Sequence, residues 1–190
     1  MTTLTRVEIQ LEATARSERK DWSTIDLSDL AERARLICPR SHAARVKARL
    51  AEARRRVSSP WLARFGSGDF HHLSLMLLET LPVPARPVTL VLFDNHPDWF
   101  VLPPRYHCGN WVAGVLGLPW IERVILIGQG GDDLKFVPMH FAPAADLASG
   151  RLTIHPYRVN EVRAPLTRLR AADRDARLGA DRRDLRFETV

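Results

Sequence analysis

The chain has 190 residues, 45% of them hydrophobic, and a formal net charge of +6, which is enough apolar content for a buried core and a length that suits one domain spanning 1–190. No run approaches the roughly 18 apolar residues of a membrane-spanning helix, and the start MTTLTRVEIQLEATARSERKDW lacks the apolar segment of a signal peptide, so a soluble cytoplasmic protein with no membrane partner is expected. The positive charge does not point to nucleic acid: Lys occurs only as Lys20, Lys47 and Lys135, and the arginines are mixed with Asp and Glu along helix-like segments rather than interleaved with aromatics.

Val7, Ile9 and Leu11 alternate as a short strand would. Asp29 to Ile37 reads as a helix that Pro39 ends or interrupts. Ser41 is a plausible N-cap for the next helix, in which Val46, Leu50, Ala53 and Val57 recur at spacings of four and three. Its other face, with Arg45, Lys47, Arg49 and Arg54 to Arg56, is expected to face solvent. Ser58, Ser59 and Pro60 break that helix, Trp61 to Phe65 reads as a short strand, and Gly66-Ser67-Gly68-Asp69-Phe70-His71-His72 follows as a turn before an apolar helix from Leu73 to Glu79. Pro82, Pro84 and Pro87 mark a return loop.

Val88 to Phe93, VTLVLF, is uncharged and rich in β-branched residues, the pattern of a central strand in a parallel sheet. It ends in Asp94, His96 and Asp98. Ligands collect at the carboxyl ends of such strands, and if the backbone stays extended, residues two apart project the same way. Two carboxylates and an imidazole then form a mixed oxygen and nitrogen site suited to Mn, Fe or Zn; the alternative is a hydrogen-bonded polar turn. After a proline-bearing loop come His107-Cys108-Gly109-Asn110, a helix from Trp111 to Leu116, and a strand from Arg123 to Ile127 that ends in Gly128-Gln129-Gly130-Gly131-Asp132-Asp133. This alternation predicts an α/β fold with a parallel sheet, in which the crossover rule brings the three strand ends to one edge. Further on, Arg151 to Ile154 reads as a strand, Pro165 to Leu178 as an Arg-rich helix and Phe187 to Val190 as a strand. Cys38 and Cys108 have no CxxC partner, which argues against a disulfide framework or structural zinc.

Taken together, GSGDFHHLS at 66–74, FDNHPD at 93–98 and CGN at 108–110 resemble the arginase, agmatinase and formiminoglutamase family of ureohydrolases. The resemblance covers roughly residues 60–130. It implies a three-layer α/β/α domain around a parallel sheet and a two-manganese site. There a metal-bridged hydroxide attacks a guanidino or amide-type carbon of a small-molecule substrate. By the match Asp94, His96 and Asp98 are metal ligands, His71 or His72 supplies another, and Asn110 faces substrate. The family's substrate-side His aligns with Val112, so His107 would substitute for it, as a proton shuttle or simply as a loop residue. One further departure matters. The family's second Asp-x-Asp pair has no counterpart after residue 135, since Asp173 and Asp175 follow no predicted strand. The expectation is therefore the N-terminal part of such a domain, a hydrolase of linear C–N bonds if completed. The other reading is a non-catalytic metal-binding or interaction module derived from the same fold, and a homo-oligomer is compatible with either.

Overall fold

The structure is a computed structural model that describes residues 4–12, 21–56, 60–101, 103, 105–130, 134 and 141–156. The chain divides into two compact units, Met1–Val83 with Pro103–Trp111, and Pro84–Leu102 with Val112–Val190. Both are mixed α/β.

In the first unit, β1 (Thr5–Gln10), β2 (Ser23–Asp26) and β3 (Trp61–Arg64) form a parallel sheet in the order β2-β1-β3. The alternating Val7 and Ile9 do form a strand, but it is the middle one. Val7, Glu8, Ile9 and Gln10 are all buried, so both faces are covered. Three helices accompany the sheet: α1 (Ser28–Ala34), α2 (Arg40–Arg56) and α3 (Leu73–Glu79). They bury Leu30, Ala31 and Ala34 from α1, His42, Ala43, Val46 and Leu50 from α2, and Leu73, Leu75 and Met76 from α3. The α2 set recurs at the three-and-four spacing of one helical face.

The helix expected to reach Ile37 stops at Ala34, because Arg35 is extended and Leu36 takes φ 59°. Tertiary partners override the local pattern there: Leu36 donates its N–H to the Asp69 carbonyl at 2.9 Å and accepts one from Cys108 at 2.9 Å. Ser41 is not the cap of α2 but lies in its first turn, and the Pro39 carbonyl accepts the Ala43 N–H at 2.8 Å. Lys47 does not simply face solvent either. Its Nζ donates to Glu79 Oε2 at 3.1 Å and to the Tyr106 hydroxyl at 3.0 Å, which ties α2 to α3 and to the 105–110 segment.

In the second unit, β4 (Val88–Phe93), β5 (Ile121–Ile127) and β6 (Leu152–His155) form a parallel sheet in the order β4-β5-β6. The middle strand, β5, buries Ile121, Val124 and Leu126. Helix α4 (Trp111–Leu116) enters this unit from the first, and α5 (Ala144–Ser149) is ended by Gly150 in the left-handed conformation, φ 76°, the usual device for terminating a helix.

Two expectations are corrected. β4 is not a central strand: among the described residues it is paired on one side only, and Val88, Val91 and Phe93 are exposed, Phe93 at 71%. Nor does β3 share a sheet with β4 and β5. Strand β2 and helix α5 were not legible in the sequence. The helix expected at 165–178 and the strand at 187–190 lie outside the described residues. Among the described residues, no helix is long and apolar enough to cross a membrane.

Candidate metal centre

The second unit carries the D-x-H-x-D segment at the carboxyl end of β4, where the motif was expected. The backbone there is not extended. Asp94 Oδ1 accepts the His96 N–H at 3.2 Å, closing a local side-chain turn, and Asp98 adopts φ 47°. A left-handed conformation is uncommon for any residue with a Cβ, although Asp tolerates it better than most. Strain of this kind persists where surrounding structure holds it. Here the Val112 N–H, in the first turn of α4, donates to the Asp98 carbonyl at 3.0 Å, and Trp99 beside it is fully buried.

Those two departures from an extended path sort the three side chains. Asp94 is half-buried and Asp98 is buried, with ligand oxygens within 4.8 Å of each other. His96 is exposed, and its Nε2 lies 3.5 Å from Asn95 Nδ2. Two carboxylates at that separation repel by on the order of 3 kcal/mol at an effective dielectric of about 20. A cation between them would remove that repulsion and supply attraction instead, so the pair fits a hard divalent ion.

The first unit carries the histidine turn and the CGN segment. Gly68–Phe70 is a single 3-10 turn, followed by His71 and by His72 at the cap of α3. The register between Asp69 and the histidines, open in the sequence, gives them opposite surroundings. His72 is fully buried, and among the described residues neither ring nitrogen meets a partner at hydrogen-bond geometry. Burial, and then the neighbouring His71, push its pKa down to about 4, while a weaker contact with the Ala34 backbone works the other way. It is therefore a neutral core imidazole. His71 is half-buried, its Nδ1 lies against the Gly68 carbonyl and its Nε2 is 3.1 Å from the Cys108 carbonyl. A metal-ligating histidine commonly has one ring nitrogen bonded to a backbone carbonyl, which fixes the tautomer and the ring plane; both nitrogens of His71 face carbonyls here, so one has to give up its carbonyl for the ring to ligate a metal.

The 105–110 segment is pinned by an antiparallel bridge between Ile37 and His107, with Cys38 N–H donating to the Tyr106 carbonyl at 2.8 Å. His107 Nδ1 accepts the Gly109 N–H at 3.1 Å, so the proton of a neutral ring resides on Nε2. Asn110 is buried, and its Oδ1 accepts the His107 N–H at 3.1 Å. His107 and Asn110 are thus brought together, and with His71 they share one short segment through Cys108. Trp111, also buried, meets the His71 ring edge-on at 6.2 Å between centroids. Neither cysteine is in a disulfide; burial pushes the Cys38 thiol up to about 11, whereas Cys108 is half-exposed.

Sequence reasoning gave no role to two groups. Glu79 closes the apolar run LSLMLLE, yet it accepts hydrogen bonds from Arg105, Lys47 and Tyr106; only the charge after an apolar stretch hinted at it. Gln129 was one residue of a glycine-rich loop, and in the structure it is a fully buried amide against Asp94.

No family model matches the chain, and no solved structure matches it. It is similar to an uncharacterised protein of Thermotoga maritima, 33% identical over 64 residues that make up 33% of this chain and 25% of that protein. The chain thus spans about a quarter of the length of the relative it matches.

Proposed function

We propose that the chain binds a divalent metal ion, manganese being the ion its donor set suits, in a ureohydrolase-like site. One observation carries this: Asp94 and the buried Asp98 present carboxylate oxygens within 4.8 Å, with Asp98 held in a left-handed conformation. The histidine that the resemblance adds is His71 rather than His72. The resemblance thus gives a donor set of one imidazole and two carboxylates, a combination that takes Mn, Fe or Zn. His96 remains a ligand by resemblance alone. A three-layer α/β/α arrangement, a soluble cytoplasmic protein and a homo-oligomer belong to the same reading.

When bound, a divalent ion supplies Lewis acidity, lowering the pKa of a water and polarising the carbon that water attacks. The chain's own groups serve that chemistry in stated places. His107 would be the proton shuttle, its neutral ring carrying the proton on Nε2, and Asn110 holds the His107 backbone. The substrate class implied is a small molecule with a guanidino or amide group. Since the sequence predicts no second Asp-x-Asp pair at a strand end, metal binding is the property proposed for the chain as it stands, and C–N hydrolysis is proposed for a chain in which that pair is supplied.

Titration with Mn2+ by calorimetry, with bound metal counted after desalting, tests the reading. Saturable binding that Asp94→Asn and Asp98→Asn each weaken at least tenfold is the expected result. Equal binding by wild type and both variants, or none at millimolar Mn2+, refutes it.

A further inference from the structure

We infer that Gln129 is a positioning residue for the Asp94 loop, one that sets metal affinity without being a ligand. This rests on the metal-binding reading and goes one step beyond it. The Gln129 side chain is fully buried in the second unit, and its Nε2 donates to the Asp94 carbonyl at 2.9 Å and to the Ile127 carbonyl at 3.3 Å. With two carbonyl oxygens as neighbours, only the NH2 end of the amide can face them, so its orientation follows from the acceptors. The Ile127 carbonyl also accepts the Asp94 N–H at 3.1 Å. The peptide groups on both sides of Asp94 are thereby tied to the end of β5.

The residues on either side of Gln129 continue the same contact. The Gly130 N–H donates to the Asn95 carbonyl at 3.0 Å, and a Cβ at Gly130 would come within 3.1 Å of Asn95 Oδ1. Gly128 sits at φ 93°, a conformation closed to most side chains. Gly128-Gln129-Gly130 is therefore a template against which Asp94 and Asn95 lie, and it leaves Asp94 Oδ1 to accept the His96 N–H and close the turn.

The cost of this arrangement is visible in the same side chain. Gln129 Oε1 is buried without a hydrogen-bond partner among the described residues. A core position asked only to fill space would hold Leu or Met, which leave no such atom unsatisfied. The amide has a task for its donors here: it binds the Asp94 carbonyl and the Ile127 carbonyl that also receives the Asp94 N–H. Groups one step removed from a metal commonly change its affinity 10- to 100-fold by orienting the ligands.

The test uses Gln129→Met, which keeps the volume and removes the donors, and Gln129→Glu, which sets a carboxylate oxygen against the two carbonyls. For each, Mn2+ affinity is measured by calorimetry, melting temperature on metal-free protein, and amide exchange at Asp94 to His96 by hydrogen–deuterium exchange. The expected result for Gln129→Met is a roughly tenfold or greater loss of Mn2+ affinity, an unchanged or raised melting temperature, and faster exchange at Asp94 to His96. Gln129→Glu should lose affinity at least as far. Unchanged affinity in Gln129→Met, where Asp94→Asn abolishes binding, overturns the assignment while leaving the metal-binding reading intact. A lowered melting temperature with unchanged affinity also overturns it, since that is the mark of a structural residue. If wild type binds no Mn2+, the metal-binding reading fails; exchange in the metal-free variants then decides the positional claim by itself, and equal rates overturn it.

Discussion

Glu79→Gln isolates the polar knot that holds the first unit's helices to the 105–110 segment. Glu79 Oε1 accepts from Arg105 Nη2 at 2.7 Å and Nε at 3.2 Å, while Oε2 accepts from Lys47 Nζ at 3.1 Å and from the Tyr106 hydroxyl at 2.9 Å. Glutamine keeps the shape but has one acceptor oxygen, so its NH2 must confront one of the two donor groups, and both charge pairs are lost. Hydrogen bonds to charged groups contribute about 1.5–3 kcal/mol when buried, and exposed ion pairs about 0.2–1 kcal/mol. The Glu79 side chain is 12% exposed and its cationic partners 33% and 40%, which places each pair between those limits and the total near 2–3 kcal/mol. Urea denaturation should show that loss as a lower midpoint with an unchanged slope. Burial pushes the Glu79 carboxyl up, but the hydrogen bonds from Arg105, Lys47 and Tyr106 together outweigh it and hold the group below its ordinary 4.5. A depressed folded-state pKa gives stability that is complete above the unfolded value and lost as pH falls through the folded one. The gap between wild type and Glu79→Gln should therefore be constant above about pH 5 and narrow below it. A loss under about 0.5 kcal/mol at neutral pH, or a gap that widens on acidification, would refute this account.

Other outcomes follow from single residues. His71→Ala should weaken Mn2+ binding at least tenfold, whereas His72→Leu should leave it within about twofold and raise stability by roughly 1 kcal/mol, because it removes two buried nitrogens that lack a well-formed hydrogen bond among the described residues; the reverse pattern would reassign the ligand. Gly128→Ala, at φ 93°, should cost about 1–2 kcal/mol by thermal melting, with a neutral result counting against the turn geometry. In native protein at pH 8 a thiol reagent should label Cys108 alone, since burial pushes Cys38 up to about 11 and leaves on the order of a thousandth of it as thiolate. Equal labelling of both cysteines before unfolding would contradict the packing around Cys38.

Much of this chain is written in local pattern. The helices Leu73–Glu79 and Trp111–Leu116 and the strand Val88–Phe93 have the bounds that apolar runs and breakers suggested, because Gly, Pro and charge act on the residues next to them. The position of Asp94 and Asp98 at a strand end was legible for the same reason. What local pattern lacks is a partner. VTLVLF has the composition of a central strand, yet whether a strand has one neighbour or two depends on segments far along the chain, and among the described residues it is an edge. The helix that should have run to Ile37 ends at Ala34 because Asp69 and Cys108 bond to Leu36. Residue types named Asp94, His96 and Asp98 as candidates, and the family resemblance added His71 or His72 and Asn110. Tertiary structure decided that Asp94 and Asp98 converge through a side-chain turn and a positive φ, not through an extended chain. It also buried His72, leaving His71 to the backbone of Cys108, and placed the amide of Gln129 against the carbonyl of Asp94. Burial and hydrogen-bond partners come from residues distant in sequence, and they separate a ligand from a core side chain of the same type.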